Sequence, residues 1–272
     1  MTEAGALVSH DRRPLVLLHG WALNLRVFDG LVTRLDAPTA TPRFAIMRLD
    51  LPGHGLAIEP VSWRARPDDQ GWQIDELADH LLAQMPPRAA LLGWSLGAKV
   101  ALEIAARAPQ RVSALVLVSA TPRFAQSPDW PHGSPAERLD ALAAALQRDY
   151  RRTVSEFLSL QVRGSQSADT TLATLQRSLL ERGECPPEVL LRALRLLHRV
   201  DQRPRLALIT APTLVIAGEY DRVVHPEASR ALAGLIGGAR FLALPRCGHA
   251  PFLSHEAEFT AAVQTFLAKV PT

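Results

Sequence analysis

The chain has 272 residues, 47% hydrophobic and 21% charged, with a formal net charge of +3. That length holds one large domain, or a core carrying an inserted subdomain. No apolar run approaches the roughly 20 residues needed to cross a bilayer, and no basic run interleaved with aromatics suggests a nucleic-acid surface, so membranes and nucleic acids are excluded as partners.

The first residues, MTEAGALVSHDRRP, are acidic and polar where a signal peptide has a basic start and an apolar core, so a cytoplasmic location is expected. PLVLLHG (14–20) reads as a buried strand running into a loop. RFAIMRLDLPGHG (43–55) repeats the arrangement, with Pro52, Gly53 and Gly55 forcing a turn. The next stretch, EPVSWRARPDDQGW (59–72), has no legible role. RAALLGWS (88–95) is a third strand, followed by helical spacing in LGAKVALEIAARAP (96–109) that Pro109 stops. RVSALVLVSATP (111–122) is a fourth strand. From 123 to 200 the rhythm breaks. A turn-rich opening gives way to leucines and alanines at three- and four-residue steps, which predicts helices alone. APTLVIAGEYDRVV (211–224) and ARFLALPRCGHAP (239–251) are two more strands, each ahead of a helix. Continuous apolar strands alternating with helices predict an α/β fold, its mostly parallel central sheet covered by helices on both faces. The expected organisation is a core in two parts, 1–122 and 201–272, with a helical cap at 123–200. Cys185 and Cys247 match no metal or redox spacing and read as free thiols.

In such a sheet, reactive groups gather beyond the carboxyl ends of the strands. Ser95, in the pattern Gly93-Trp94-Ser95-Leu96-Gly97, follows a strand and opens a helix, the setting of a nucleophile at a sharp turn. Its base must be a histidine on the same edge. Of the nine histidines, His10 and His80 read as surface positions, and His132 and His198 belong to the cap. His225 and His255 sit at helix starts and His54 in a turn, while His19 reads as a brace for its loop. His249, between the last strand and the last helix, is the candidate base. Asp221, in the loop after the fifth strand, is the candidate orienting acid, with Glu219 too close to the strand end. The segment after the fourth strand, SATP, contains no carboxylate. An oxyanion would be held by the backbone amides of Leu96 and of Trp21. No metal or organic cofactor is expected.

The order Ser95, Asp221, His249, together with LVLLHGW, LDLPGHG, LGWSLG, RTVSEFLSLQ (152–161) and CGHAPFLSHEAEF, resembles the α/β-hydrolase superfamily. Within it the chain is most similar to the carboxylesterases of biotin synthesis, over residues 14 to 267. The resemblance implies an α/β-hydrolase fold and hydrolysis of the methyl ester of a pimeloyl chain carried on acyl-carrier protein. It also implies a substrate pocket at Trp21, Leu96 and the cap stretch Phe157, Leu158, Ser159, Leu160 and Gln161, with Trp94 flanking the catalytic groups. The family docks its carrier protein through cap arginines. Arg152 falls on such a position, but Glu156, Asp169 and Ala173 stand where others are expected, and Arg148, Arg151 and Arg163 lie near. The segment 123–200 carries 11 arginines against 9 acids, a weak basic surplus for docking an acidic partner. A monomer is expected. The rival readings are a broad short-chain esterase or lactonase of the same fold and, from another class, a catalytically silent binding protein.

Overall fold

The computed structural model describes residues 12–37, 43–66 and 71–271. The expectations for His10 and for the start of the chain up to residue 11 lie outside the described residues, as do 67–70 of the stretch 59–72. The chain runs through β1 (Arg13–Leu18), α1 (Asp29–Leu35), β2 (Phe44–Leu49), the short α2 (Val61–Arg64), α3 (Ile74–Leu82), β3 (Ala89–Trp94), α4 (Leu96–Arg107) and β4 (Val112–Val118). Four helices follow: α5 (Ala136–Arg148), α6 (Tyr150–Val162), α7 (Ala168–Glu181) and α8 (Pro187–Arg199). The chain then returns through β5 (Thr213–Gly218), α9 (Pro226–Leu235), β6 (Arg240–Leu244), α10 (Pro251–Ser254) and α11 (Glu256–Ala268).

The strands lie in the order β2-β1-β3-β4-β5-β6, and every neighbouring pair is parallel. The six predicted strands are therefore the six strands of the sheet. Every residue of β3 and β5 is buried, which is why these segments read as unbroken apolar runs instead of alternating ones. The register aligns the carboxyl ends: Leu18 is opposite Gly93, Trp94 opposite Val118, Val118 opposite Ile216 and Gly218 opposite Leu244. The segments after β1, β3, β4, β5 and β6 thus share one edge. From β1 the chain goes first to one side (β2) and then to the other (β3), so a topological switch point lies between their ends, where open α/β sheets bind ligands.

The two crossings between the sheet and the four helices are clasped together at Lys99. This side chain is buried on α4, and its Nζ donates to Pro122 O at 3.0 Å and to Val200 O at 3.3 Å. Gln202 N also donates to Pro122 O, and Arg123 pairs with Asp201 across the same neck at 3.1 Å. Burial lowers the Lys99 pKa to about 7, against the opposing pull of Asp201 and Glu103. The neutral amine retains two N–H donors for the two carbonyls. Because the folded pKa is depressed, the unfolded chain binds the extra proton between pH 7 and about 10, and stability rises with pH across that window. Urea unfolding of wild type and Lys99→Met should therefore diverge, the wild type gaining relative stability from pH 7 to 10 by up to about 1.4 kcal/mol per pH unit. A pH-independent difference would contradict the assignment.

The stretch 59–72 gains a role in the structure. Glu59 is 3% exposed. Its carboxylate accepts the Trp72 indole N–H at 2.5 Å and two N–H groups of Arg192 on α8 at 3.0 and 2.9 Å. A buried carboxylate requires such partners, and here they tie the stretch to α8. Both cysteines are free and buried, and burial raises their pKa, that of Cys247 to about 12.

Candidate active site

Ser95 links β3 to α4 with φ 56° and ψ −113°, a left-handed conformation that a side-chain-bearing residue adopts only under constraint. The flanking glycines explain how the turn is built. A Cβ on Gly93 would lie 2.5 Å from Gly97 O, and one on Gly97 would lie 2.2 Å from Leu18 O. No side chain fits at either place, so the pattern is a packing requirement. Ser95 N donates to Val118 O at 3.0 Å, fixing the turn to the end of β4. The side chain is left half-buried at the head of a buried helix. The leading amides of α4, those of Leu96 and Gly97, precede the first bonds of the helix and favour negative charge. Among the described residues, four non-glycine residues have positive φ: Ala22, Ser95, Ser119 and Arg246. They follow β1, β3, β4 and β6 respectively, so the backbone strain is gathered on this edge.

Asp221, in the loop between β5 and α9, is 3% exposed. Its Oδ1 accepts the amides of Val223 and Val224 at 2.8 and 2.9 Å. Its Oδ2 accepts from His249 Nδ1 at 2.7 Å. An ionised carboxylate only accepts hydrogen bonds, so Nδ1 carries the proton and Nε2 holds the lone pair. That Nε2 is buried and has no hydrogen-bond partner among the described residues. The His249 backbone is held from three sides. Its N donates to Gln161 O at 2.8 Å, and its O accepts from Trp94 Nε1 at 2.8 Å and Ser119 Oγ at 2.9 Å. Glu219 is exposed. His19 braces its loop: Nδ1 meets Gly20 O at 2.8 Å and Nε2 accepts from Leu51 N at 2.9 Å, while burial lowers its pKa.

Ser95 opens onto a cavity of about 340 Å³ that Trp21, Phe157 and Leu160 help to line. The indole of Trp21 donates to Leu190 O at 3.0 Å and meets Phe157 edge-on, with centroids 4.8 Å apart. This fixes the two rings against each other in the cavity lining. On α6, Thr153, Glu156, Phe157 and Leu160 line it, which is one helix face at three- and four-residue steps. Leu158, Ser159 and Gln161, expected beside the substrate, are rotated off that face and are absent from the cavity lining. Leu158 is buried, Ser159 is exposed with Oγ bonded to Ser155 O, and Gln161 serves His249 through its carbonyl. Trp94, also expected beside the substrate, is placed differently. It is 1% exposed, packs on His249 (5.5 Å) and edge-on to Phe252 (5.1 Å), and is absent from the cavity lining. Its indole N–H and ring are both engaged with His249, which they hold in place. Sequence reasoning missed Leu139 and Leu142 of α5, and Leu194 and Leu197 of α8, which complete the apolar wall. It also missed Ser119, in the very segment noted only for lacking a carboxylate.

Of the expected carrier contacts, Arg151 pairs with Glu184 at 3.3 Å and Arg152 with Glu156 at 2.8 Å, all on or near the surface. Arg148 and Arg163 are exposed. Among the described residues no group of three or more His, Cys, Asp or Glu side chains could hold a metal ion, and no helix is long and apolar enough to cross a membrane.

The sequence pattern of the α/β hydrolase fold matches residues 13–256. The chain is 42% identical over 257 residues to a pimeloyl-[acyl-carrier protein] methyl ester esterase of Xanthomonas oryzae pv. oryzae, covering 94% of this chain and 96% of that one. A protein of the same name from Nitrosomonas europaea is 38% identical over 248 residues, covering 91% and 92% of the two chains. Among solved structures, the enol-lactonase of Burkholderia xenovorans superposes with a TM-score of 0.78 at 22% identity, covering 96% of this chain and 94% of that one, a likeness of fold alone. From the family pattern and these relatives, the chain belongs to the α/β-hydrolase fold family, among its carboxylic ester hydrolases.

Proposed function

We propose that this chain is a serine esterase that hydrolyses the methyl ester of a pimeloyl group carried on acyl-carrier protein, the activity named for its relatives. The observation that carries the chemistry is the buried Asp221–His249 pair, whose unpartnered Nε2 shares an edge with the strained, half-buried Ser95. His249 Nε2 takes the Ser95 proton as Oγ attacks the ester carbonyl. The amides of Leu96 and Trp21 hold the oxyanion, the kind of contact whose loss costs about 10²–10³ in rate. His249 then passes its proton to the departing methanol. Water, deprotonated by the same nitrogen, cleaves the acyl-enzyme and frees the carboxylate. Asp221 holds the imidazole in the tautomer this cycle needs. The apolar wall of the cavity suits an alkyl chain.

The test is turnover of the carrier-bound methyl ester against a small free methyl ester, alongside complementation of a biotin auxotroph lacking this esterase. Release of methanol and the free acid from the carrier ester at higher kcat/KM, with rescue of growth, is expected. Equal efficiency on both esters with no rescue would move the reading to a broad short-chain esterase of the same fold.

A further inference from the structure

Beside the cavity that Ser95 opens onto lies a second, of about 460 Å³. The two share Ser134, Arg138, Leu160, Arg222 and Val223 as lining residues, so the second adjoins the chamber onto which Ser95 opens. Three arginines from three separate elements border the outer part: Arg138 on α5, Arg163 at the end of α6 and Arg222 in the loop after β5. Each is exposed, and none has an ion-pair or side-chain hydrogen-bond partner among the described residues.

That is unusual in this molecule, where most arginines are matched to a carboxylate or a carbonyl. The acids around the same space are already used. Asp221 holds His249, Glu156 is paired with Arg152, and Glu227 is paired with Arg230 at 3.5 Å. The outer cavity therefore carries three unpaired guanidinium groups beside two carboxylates already engaged elsewhere, next to an apolar inner chamber. Guanidinium groups bind carboxylate and phosphate oxygens with planar, multidentate geometry.

We infer that Arg138, Arg163 and Arg222 form an anion-recognition site that reads a carboxylate or phosphate on the substrate beyond its alkyl segment. The inference rests on the esterase reading above and adds the substrate feature that selects for it. Arg138 and Arg222 are not among the residues expected to dock a carrier protein, and Arg163 lies near those positions without falling on one, so this chain would recognise charge on the substrate's own tail from the mouth of its cavity. Such an anion stays bound while the ester at the other end reacts. It contributes equally to ground and transition states and shows in KM more than in kcat.

The experiment compares two pairs of methyl esters whose members differ by one anionic group. Pimeloyl-pantetheine methyl ester is set against its 4′-phosphopantetheine counterpart, and methyl heptanoate against monomethyl pimelate. In the wild type the charged member of one pair should be preferred about tenfold or more in kcat/KM, from the strength of hydrogen bonds to charged groups. The pair that shows the preference identifies phosphate or carboxylate as the group read. In Arg138→Gln and Arg163→Gln, neither of which adjoins Asp221, the charged-to-neutral ratio should fall severalfold. Reading the effect as a ratio within each protein cancels any general loss of activity. Equal kcat/KM within both pairs, or a ratio that survives in both variants, would overturn this inference and leave the esterase reading standing. Hydrolysis of none of the four esters by a protein that does hydrolyse the carrier-bound ester would overturn this inference alone, and failure on the carrier-bound ester as well would overturn both.

Discussion

Replacing Ser95 with alanine should lower kcat for ester hydrolysis by about 10⁵–10⁶-fold while leaving the fold and the substrate affinity intact. The size follows from what the serine does: without Oγ there is no acyl-enzyme, and the remaining groups contribute only binding and oxyanion stabilisation. The fold should survive because Ser95 is a hub of backbone contacts and not of side-chain ones. Its N bonds Val118 O, and its O accepts from Ala98 and Lys99 at 3.0 and 3.2 Å. Alanine preserves all three and tolerates the positive φ no worse than serine. Single-turnover assays with a chromogenic ester, paired with thermal unfolding, check both halves. Turnover near the wild-type value in purified Ser95→Ala would remove the serine from the mechanism.

Asp221→Asn should slow kcat by about 10⁴-fold with little change in KM. The cause is visible in the hydrogen bonds. Oδ1 of Asp221 is pinned by the amides of Val223 and Val224, which require an acceptor there. An asparagine must place its carbonyl oxygen on those donors, which turns its NH₂ toward His249 Nδ1. The imidazole then has to accept at Nδ1 and carry its proton on Nε2, leaving no base for the Ser95 hydroxyl. The site is assembled but holds the wrong tautomer. Steady-state kinetics with circular dichroism as a fold control measure this, and a loss below tenfold would assign Asp221 a purely structural part.

The sheet was legible in the sequence because burial on both faces leaves continuous runs such as LVLL and ALVLV, which turns and glycines interrupt at their ends. Ser95, Asp221 and His249 were nameable for the same reason. A parallel sheet sends every strand's carboxyl end to one edge, so position after a strand fixes position in space. The structure brings Asp221 and His249 into direct contact. What stayed hidden depends on which face of a helix meets which neighbour. The stretch FLSLQ was read as one block, yet only Phe157 and Leu160 face the cavity. Periodicity marks an apolar stripe without saying what it packs against, so Leu139, Leu142, Leu194 and Leu197 were invisible as pocket residues. Long-range polar pairs were equally silent. Nothing near Glu59 in sequence points to Arg192, and nothing near Lys99 points to the carbonyls of Pro122 and Val200. Trp94 is the instructive case. An aromatic inside the serine motif reads as a substrate contact, but its indole N–H is committed to the His249 carbonyl.

The central claim is that Ser95 is the nucleophile activated by His249. Its most direct test is a peptide map of the protein after reaction with a fluorophosphonate. The account predicts a single covalent adduct, on Ser95, with loss of esterase activity in proportion to labelling. An unlabelled Ser95 in a protein that still hydrolyses esters, or an adduct on another residue that tracks the loss of activity, would contradict it.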